Sequence, residues 1–300
     1  MMRPRFFLLI VRLSLLSLLW AVLLLSLLRF AWSALRLGSG YLAFQSNRTG
    51  NWDIFLLDID TRLLLNLTRN PADDQGPAWS PHTQRLAFYS NRTGRSAIFM
   101  LHPFDSAPQQ LTDNANNYWR PTWSPDEQQL ALMLNFNLIG VLDLRTGQTQ
   151  PLTRGFSPTW STADARIAFY VNAPGQLRSD IALIDSTALS QPATQLTHNN
   201  LNNWDPAWSP DGRSIAFANN TNGSADLFVL DTACADLCLR ALTDWPSNEM
   251  LPAWSSDGRH IAFISDRDGR RQLYLINSDG SAPRALTAGE HDNIFPAWAP

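Results

Sequence analysis

The chain has 300 residues, which is enough for one large domain or two ordinary ones. Its formal net charge is -3, and only 16% of its residues are charged, against the ~25% that is usual in soluble domains. No basic run or patch accompanies this balance, which excludes a nucleic-acid-binding surface as the main function.

Residues 13–28, LSLLSLLWAVLLLSLL, form an apolar run without a charged residue. The run approaches the length of a membrane span, so we predict one transmembrane helix and a short linker over residues 1–38. More basic residues precede the run than follow it, and the positive-inside rule then predicts a cytoplasmic N-terminus. These residues are Arg3, Arg5 and Arg12 before the run, and Arg29 and Arg36 after it.

A cleaved signal peptide is the alternative for this segment, because the small residues Ala31 and Ser33 precede Ala34 in a pattern that suits cleavage. The apolar run is long for a signal peptide, which favours an uncleaved anchor. Both alternatives place the rest of the chain outside the cytoplasm. We therefore expect a single-pass protein of the cell membrane with its main domain on the periplasmic or extracellular side.

One sequence motif, Pro-x-Trp, occurs six times along the rest of the chain. The intervals lie close to the ~40–45 residues of a four-stranded propeller repeat. Because the tryptophans recur in every copy, we expect them to pack between neighbouring repeats. The copies stand at residues 77–79, 121–123, 158–160, 206–208, 252–254 and 296–298.

Each of the first five copies is followed by three further strand signals. A tight turn, often Asp-Gly, leads into a short apolar strand, as in residues 211–217 and 257–263. A polar turn ending in Gly precedes a third strand, and a fourth strand ends in a Leu-Thr pair. Four antiparallel strands in each of six repeats predict an all-β, six-bladed β-propeller over residues 39–300.

The two ends of this domain are complementary. The first repeat begins at its second strand, Tyr41 to Phe44, without a Pro-x-Trp strand before it, whereas the last Pro-x-Trp strand, residues 295–298, has no repeat after it. We predict strand exchange between the N- and C-terminal ends, which closes the ring and leaves no open sheet edge.

The repeat resembles that of the TolB family of propellers, in which Leu-Thr, a loop, Pro-x-Trp-Ser-Pro-Asp-Gly and Ile-Ala-Phe follow one another. Here Leu196-Thr197 leads through a loop into PAWSPDGRSIAF at residues 206–217, and the resemblance covers about residues 39–300. It implies a periplasmic or cell-surface role in holding other envelope proteins. It is specific for the fold and weak for function, because propellers have many unrelated activities.

The loops from each Leu-Thr to the next Pro carry a recurrent polar residue. Five of the six loops have eight residues, and in each of these five the fifth position is an Asp or Asn. Turn formation explains such a set, and a polar ring at the pore mouth that binds a cation or a peptide is the alternative. The residues are Asp73, Asn117, Asn202, Asn248 and Asp292.

The third repeat departs from the others. Residues 130–140 lack the usual long turn, and the following loop shrinks to residues 154–157. We expect a recess here, bordered by large amphipathic side chains of the kind that is enriched at binding hot spots. The candidate partner-binding residues are Tyr118, Trp119, Arg120, Phe156, Trp204 and Asp205.

The two cysteines, Cys234 and Cys238, are too few for a tetrahedral zinc site. If the domain is exported, a local disulfide between them is plausible chemistry, and it is our candidate pairing. We expect no metal and no cofactor.

The function that these features indicate is a membrane-tethered scaffold that binds other envelope or membrane proteins. Because the chain enters the propeller at a second strand, we expect the face with the Asp-Gly turns to lie toward the membrane. The eight-residue loops then point away from it. A fixed subunit of a larger membrane complex and a propeller enzyme acting on glycan or peptide remain alternatives. We expect no enzyme and no small-molecule substrate, because Gly-x-Ser-x-Gly and His-Glu-x-x-His are absent and the only compact acid-His cluster is residues 290–292.

Overall fold

The structure, a computed structural model, describes residues 40–103, 105, 107–172, 178–187, 192–220, 223–233 and 238–300. The predicted anchor at residues 1–38 lies outside these ranges. Within them, no helix combines the length and the hydropathy that crossing a bilayer requires.

The described chain forms twenty-four β-strands, four to a sheet, in six antiparallel sheets. The prediction of an all-β, six-bladed propeller is therefore confirmed. In blades 1 to 3 the strands are β1 (Tyr41–Ser46), β2 (Asp53–Asp58), β3 (Leu64–Asn66), β4 (Asp74–Trp79), β5 (Leu86–Ser90), β6 (Ala97–Leu101), β7 (Gln109–Gln110), β8 (Tyr118–Trp123), β9 (Gln129–Leu134), β10 (Leu138–Asp143) and β11 (Thr149–Arg154).

The second half of the chain repeats this arrangement in blades 4 to 6, and its last strand joins blade 1. The strands are β12 (Phe156–Trp160), β13 (Arg166–Asn172), β14 (Ser179–Asp185), β15 (Thr194–Gln195), β16 (Asn203–Trp208), β17 (Ser214–Asn219), β18 (Asp226–Asp231), β19 (Arg240–Ala241), β20 (Glu249–Trp254), β21 (His260–Ser265), β22 (Gln272–Asn277), β23 (Arg284–Ala285) and β24 (Asn293–Trp298).

Blade 1 draws its strands from both ends of the described chain, in the order β24-β1-β2-β3. Strand β24 runs antiparallel to β1, with Trp298 opposite Leu42 and Asn293 opposite Ser46. The backbone N–H of Ala299 donates to the carbonyl of Tyr41 over 3.0 Å, which extends the pairing past the end of the strand. The backbone groups at this edge of β1 therefore have partners.

The core lies between the blades. Each Pro-x-Trp strand is the innermost of its blade and contacts the innermost strands of the two neighbouring blades, so the six form a closed circle. The tryptophan of one blade packs among apolar residues of the preceding one, as Trp79 does against Ile54 and Leu56. In three blades the indole also donates to the preceding blade, and Trp123 reaches the carbonyl of Ala78 over 2.9 Å. The structure thus places these tryptophans between blades, as expected.

The prediction that the fourth strand of each blade ends in a Leu-Thr pair is wrong in five of the six blades. In five blades the outermost strand ends one residue before the Leu, and only β11 contains the pair. The reason is the threonine hydroxyl, which replaces a ladder bond. In blade 1 the Oγ1 atom of Thr68 accepts the N–H of Ile54 over 3.0 Å and donates to Oδ1 of Asp53 over 3.1 Å.

Candidate functional site in the central channel

A β-bulge interrupts every innermost strand just before its proline. The register between the first and second strands shifts there in all six blades. The residue before the proline adopts a positive φ between 48° and 58°. Such bulges bend a strand and redirect a side chain. We call these residues the bulge ring: Gly76, Arg120, Ser157, Asp205, Leu251 and Phe295.

The identities within the bulge ring vary, although the backbone conformation does not. A positive φ suits Gly and tolerates Asp, but it costs about 1 kcal/mol or more for Arg, Leu or Phe. The fold therefore requires the positive φ at this position, but this requirement does not favour Arg, Leu or Phe there. Strained residues of this kind gather at ligand and active sites, which makes the bulge ring the leading candidate site.

All six members of the bulge ring line one central cavity of about 270 Å³. Three of them, from consecutive blades, form a polar network. The Nη1 atom of Arg120 lies 2.6 Å from Oδ1 of Asp205. Ser157, between them, donates from Oγ to the same Oδ1 atom over 3.1 Å and also contacts Nη1 of Arg120. The ion pair thus spans from blade 3 to blade 5 across the wall of the cavity.

The guanidinium of Arg120 has an apolar partner as well as an ionic one. Its central carbon lies 4.6 Å from the ring centroid of Phe295, which is a cation-π distance. Burial alone would lower the pKa of Arg120, but the Asp205 carboxylate raises it, so the side chain stays charged. The Arg120 side chain is 27% exposed and the Asp205 side chain 13%, and both line the cavity.

Two tyrosines stand behind the bulge ring. Burial raises the pKa of Tyr89 to about 12, and burial together with Asp205 raises the pKa of Tyr170. Tyr89 also explains why blade 2 has a glycine in the ring. A Cβ atom at Gly76 would lie 2.6 Å from the tyrosine ring, so any side chain there would displace Tyr89. Blade 2 therefore contributes only backbone to the bulge ring.

The six residues predicted to bind a partner separate into two groups. Arg120 and Asp205 meet in the cavity wall, whereas the aromatic residues lie outside the cavity lining. Trp119 packs edge-on against Phe136, with ring centroids 6.0 Å apart, and Phe156 stacks on Tyr170 at 5.1 Å.

The other two aromatic candidates differ in exposure. Tyr118 is buried and donates its hydroxyl to Oδ1 of Asp113 over 3.1 Å. Trp204 is half-buried in β16, opposite Ala218. A partner-binding role for the six candidates stays a prediction.

Four residues of the predicted polar ring accept backbone N–H groups of the blade that precedes them in the chain. Oδ1 of Asp73 accepts the N–H of Trp52 over 3.0 Å, and Oδ1 of Asn248 accepts that of Ala225 over 3.1 Å. Asn117 and Asp292 accept backbone N–H groups in the same way, and the N–H of Asn202 donates to Asn220. None of the five residues lines the cavity. These contacts join neighbouring blades and are not local turns, and ligand binding by the ring stays a prediction.

Two further expectations concern cysteines and metals. Cys234 lies outside the described residues, so its pairing with Cys238 stays a prediction. In the described ranges no three His, Cys, Asp or Glu side chains are grouped in a way that could hold a metal ion.

The site residues predicted from the sequence include Arg120 and Asp205 but not the other four members of the bulge ring. Ser157, Leu251 and Gly76 are not among the predicted site residues, because the side chain before each Pro differs from blade to blade and has no recurrent motif. A usable signal existed: the position before each Pro is variable, while the Pro and the Trp that follow recur in every blade.

The geometry defines a class of protein: a six-bladed propeller whose central cavity has a charged wall and an apolar wall. A family model described as the TolB beta propeller domain matches residues 34–188 and, overlapping them, 154–300. The chain belongs to the TolB β-propeller family, and the predicted TolB-like repeat is confirmed. No curated protein matches the chain.

Solved structures give the same fold. TolB from Acinetobacter baumannii superposes with a TM-score of 0.77 at 21% identity, over 87% of this chain and 67% of that one. The putative TolB from Agrobacterium tumefaciens gives 0.69 at 19% identity, over 86% and 91%. An oligogalacturonate lyase in complex with manganese gives 0.58 at 18% identity, over 82% and 73%. At such identities the likeness shows the fold alone.

Proposed function

We propose that this protein is a membrane-tethered extracytoplasmic scaffold, which binds another envelope or membrane protein through the loop face of its propeller. The loop face is the end of the blades that carries the eight-residue loops. The proposal is one of binding and not of catalysis. In the cavity wall the charged groups of Arg120 and Asp205 are paired with each other.

The observation that carries the proposal is an aromatic pair on the loop face of blade 3. The hairpin between β9 and β10 is only three residues long, and Phe136 at its tip is 80% exposed with a φ of 78°. Trp119 supports it from the neighbouring strand. A large exposed aromatic residue in a strained turn has no folding role that would explain it, and aromatic residues dominate binding hot spots.

The membrane tether rests on the apolar run at residues 13–28. We expect the full chain to stay with the membrane fraction after an alkaline carbonate wash. Replacing Leu18 and Leu24 together by Arg should release it, because a central Arg costs about 2.5–3.5 kcal/mol on insertion scales. Immunoblotting of pellet and supernatant gives the measurement. Release of the wild-type chain by the wash would contradict the tether and leave the loop-face proposal standing.

Partner binding is tested by Phe136→Asn, since Asn tolerates a positive φ and keeps the turn. We expect the partner that copurifies with the full chain from mild detergent to fall at least tenfold in amount. Propeller stability should change by less than about 0.5 kcal/mol, because the side chain is exposed. Quantitative mass spectrometry of the copurified proteins gives the measurement.

Leu63→Asn is the matched control for that variant. Leu63 is 71% exposed and lies in the β2–β3 turn at the opposite end of its blade. Its replacement should leave the copurified partner unchanged. Equal recovery of the partner with Phe136→Asn and with wild type would refute the loop-face proposal. A partner that remains in fixed stoichiometry through further purification would make the protein a permanent subunit of a complex.

A further inference from the structure

The bulge ring divides the wall of the central cavity into a charged half and an apolar half. Arg120, Ser157 and Asp205, from blades 3 to 5, form the charged half. Leu251 and Phe295, from blades 6 and 1, form the apolar half. The guanidinium of Arg120 also lies over the ring of Phe295, at 4.6 Å from its centroid, so the two halves meet there. A ligand that fills the cavity therefore contacts ionic and apolar groups together.

The charged half keeps hydrogen-bonding groups that the protein does not use. The contacts of Arg120 with Ser157 and Asp205 all involve its Nη1 atom, and those of Asp205 involve Oδ1. Among the described residues, the Nε and Nη2 atoms of Arg120 and the Oδ2 atom of Asp205 make no hydrogen bond. The Nε-Nη2 edge of a guanidinium is suited to bidentate pairing with a carboxylate, and a free carboxylate oxygen accepts from an ammonium group.

The charge balance of the wall selects between possible ligands. Arg120 and Asp205 are opposite and paired, so the wall carries no net charge. A ligand with a lone carboxylate or a lone ammonium would bring an uncompensated charge into a partly buried site, which is unfavourable. A zwitterion adds one charge of each sign and offers each a partner, so the site favours a neutral ligand that carries both groups.

We propose that the central cavity binds a free α-amino acid with an apolar side chain, such as leucine or phenylalanine. The α-carboxylate pairs with the open edge of Arg120, the α-ammonium group donates to Oδ2 of Asp205, and the side chain packs against Leu251 and Phe295. The inference goes beyond partner binding on the loop face and does not depend on it.

The size of the cavity agrees with this class of ligand. At about 270 Å³ it falls just below the ~300–1,000 Å³ of pockets that hold drug-sized molecules. An apolar side chain in the cavity displaces water that contacts Leu251 and Phe295. Water next to an apolar wall has few partners, which favours its replacement.

Isothermal titration calorimetry of the full chain in mild detergent tests the proposal with leucine and phenylalanine as probes. We expect saturable binding of one molecule per chain with a Kd below about 1 mM. N-acetylleucine and leucinamide, which each lack one of the two charges, should bind at least tenfold more weakly.

Two variants connect the binding to the cavity. Arg120→Met keeps the length of the side chain and removes the carboxylate partner, so affinity for leucine should fall at least tenfold. Leu251→Gly leaves the ion pair intact and relieves the positive φ, which protects folding, and affinity should fall about tenfold through the lost apolar contact. Arg271→Met is the matched control, because the Arg271–Asp292 ion pair of 2.9 Å lies outside the cavity lining.

Three results would overturn the proposal. One is the absence of saturable binding for both probes up to about 10 mM, which lies tenfold above the expected limit. Another is equal affinity for leucine and its two derivatives. The third is binding that Arg120→Met and Leu251→Gly both leave unchanged. Copurification of a protein partner is measured separately, so failure of amino-acid binding and failure of the loop-face proposal are distinguishable.

Discussion

Truncation of the chain after Asp292 should abolish cooperative unfolding of the propeller, because it removes β24 from blade 1. This strand pairs with β1 along most of its length. Its side chains Ile294 and Trp298 are buried against Phe44 and Leu275. Loss of one buried Trp side chain alone costs about 3–5 kcal/mol, against a total stability of about 5–15 kcal/mol for a typical domain.

The exposed edge makes the loss larger. Without β24, the backbone groups of β1 lose their partners, and a long apolar edge strand pairs readily with other chains. Circular dichroism with urea titration should show no cooperative transition, and size-exclusion chromatography should show aggregates. A truncated chain that unfolds with an unchanged midpoint and an unchanged slope would contradict the prediction.

A permuted chain provides the control for the truncation. In this chain residues 293–298 come first, a copy of the six-residue turn 255–260 of blade 6 follows them, and the sequence then continues from Leu42. Trp298 lies opposite Leu42 as Trp254 lies opposite Ile261, so this turn spans an equivalent gap. Cooperative unfolding should return. If it did not, the defect of the truncated chain would have to arise from something other than the missing strand.

Glu127→Gln should destabilise the propeller by about 2–3 kcal/mol at pH 7, although the residue stands in a surface turn. Glu127 occupies the position of Gly212 and Gly258 in other blades and shares their positive φ. Its carboxylate is buried against the turn of blade 2. There it accepts the N–H of His82 over 2.6 Å and the hydroxyl of Thr83 over 2.6 Å.

An ion pair completes the environment of this carboxylate, since Arg85 lies 3.0 Å from its Oε2 atom. Burial alone would raise the pKa of Glu127, but the hydrogen bonds from Thr83, His82 and Arg85 lower it to about 2. The ordinary pKa of a Glu is about 4.3, and a difference of about two units corresponds to about 3 kcal/mol. The carboxylate therefore links blades 2 and 3 through its charge.

The sign of the pH dependence follows from the lowered pKa of Glu127. The ionised carboxylate stabilises the folded state fully above about pH 4.5, and this contribution is lost as the pH falls from about 4.5 to about 2. The stability difference between wild type and Glu127→Gln should therefore shrink over that range. Urea titrations of both proteins between pH 7 and pH 3 give the measurement, and taking the difference cancels the other acidic groups.

Two further variants make the result specific for Glu127. Glu290 is exposed, and Glu290→Gln should change stability by less than about 0.5 kcal/mol at every pH. Glu127→Gly restores the residue that other blades have and removes about 1 kcal/mol of backbone strain, yet it should still be less stable than wild type at pH 7. A Glu127→Gly protein more stable than wild type would show that the carboxylate contacts contribute little.

Much of the fold could be predicted from residues that recur. The Pro-x-Trp motif recurs at intervals of 37 to 48 residues, and intervals of about that length indicate four-stranded blades. The prediction was less accurate for the Leu-Thr pairs. Their position beyond the outermost strand depends on the hydroxyl of Thr68 and its equivalents reaching a neighbouring strand, and strand patterns contain no information on that contact.

The site was predicted only in part. Arg120 and Asp205 were selected from the sequence as members of a recess between loops, and the structure instead places them in the wall of the central cavity. Ser157 and Glu127 went unnoticed, because each looks like an ordinary turn residue when read along the chain. Their roles come from contacts with residues of neighbouring blades.

The amino-acid sequence by itself determined the blade, because turns and alternating strands depend on residues that are close together in the chain, and the tryptophan recurs once in every repeat. The tertiary structure alone decided which variable residues meet. Arg120 and Asp205 are separated by 85 positions and come together because the bulge turns the same position of every blade toward one axis. A repeat shows that positions are equivalent, but the positive φ of the folded backbone decides where their side chains point.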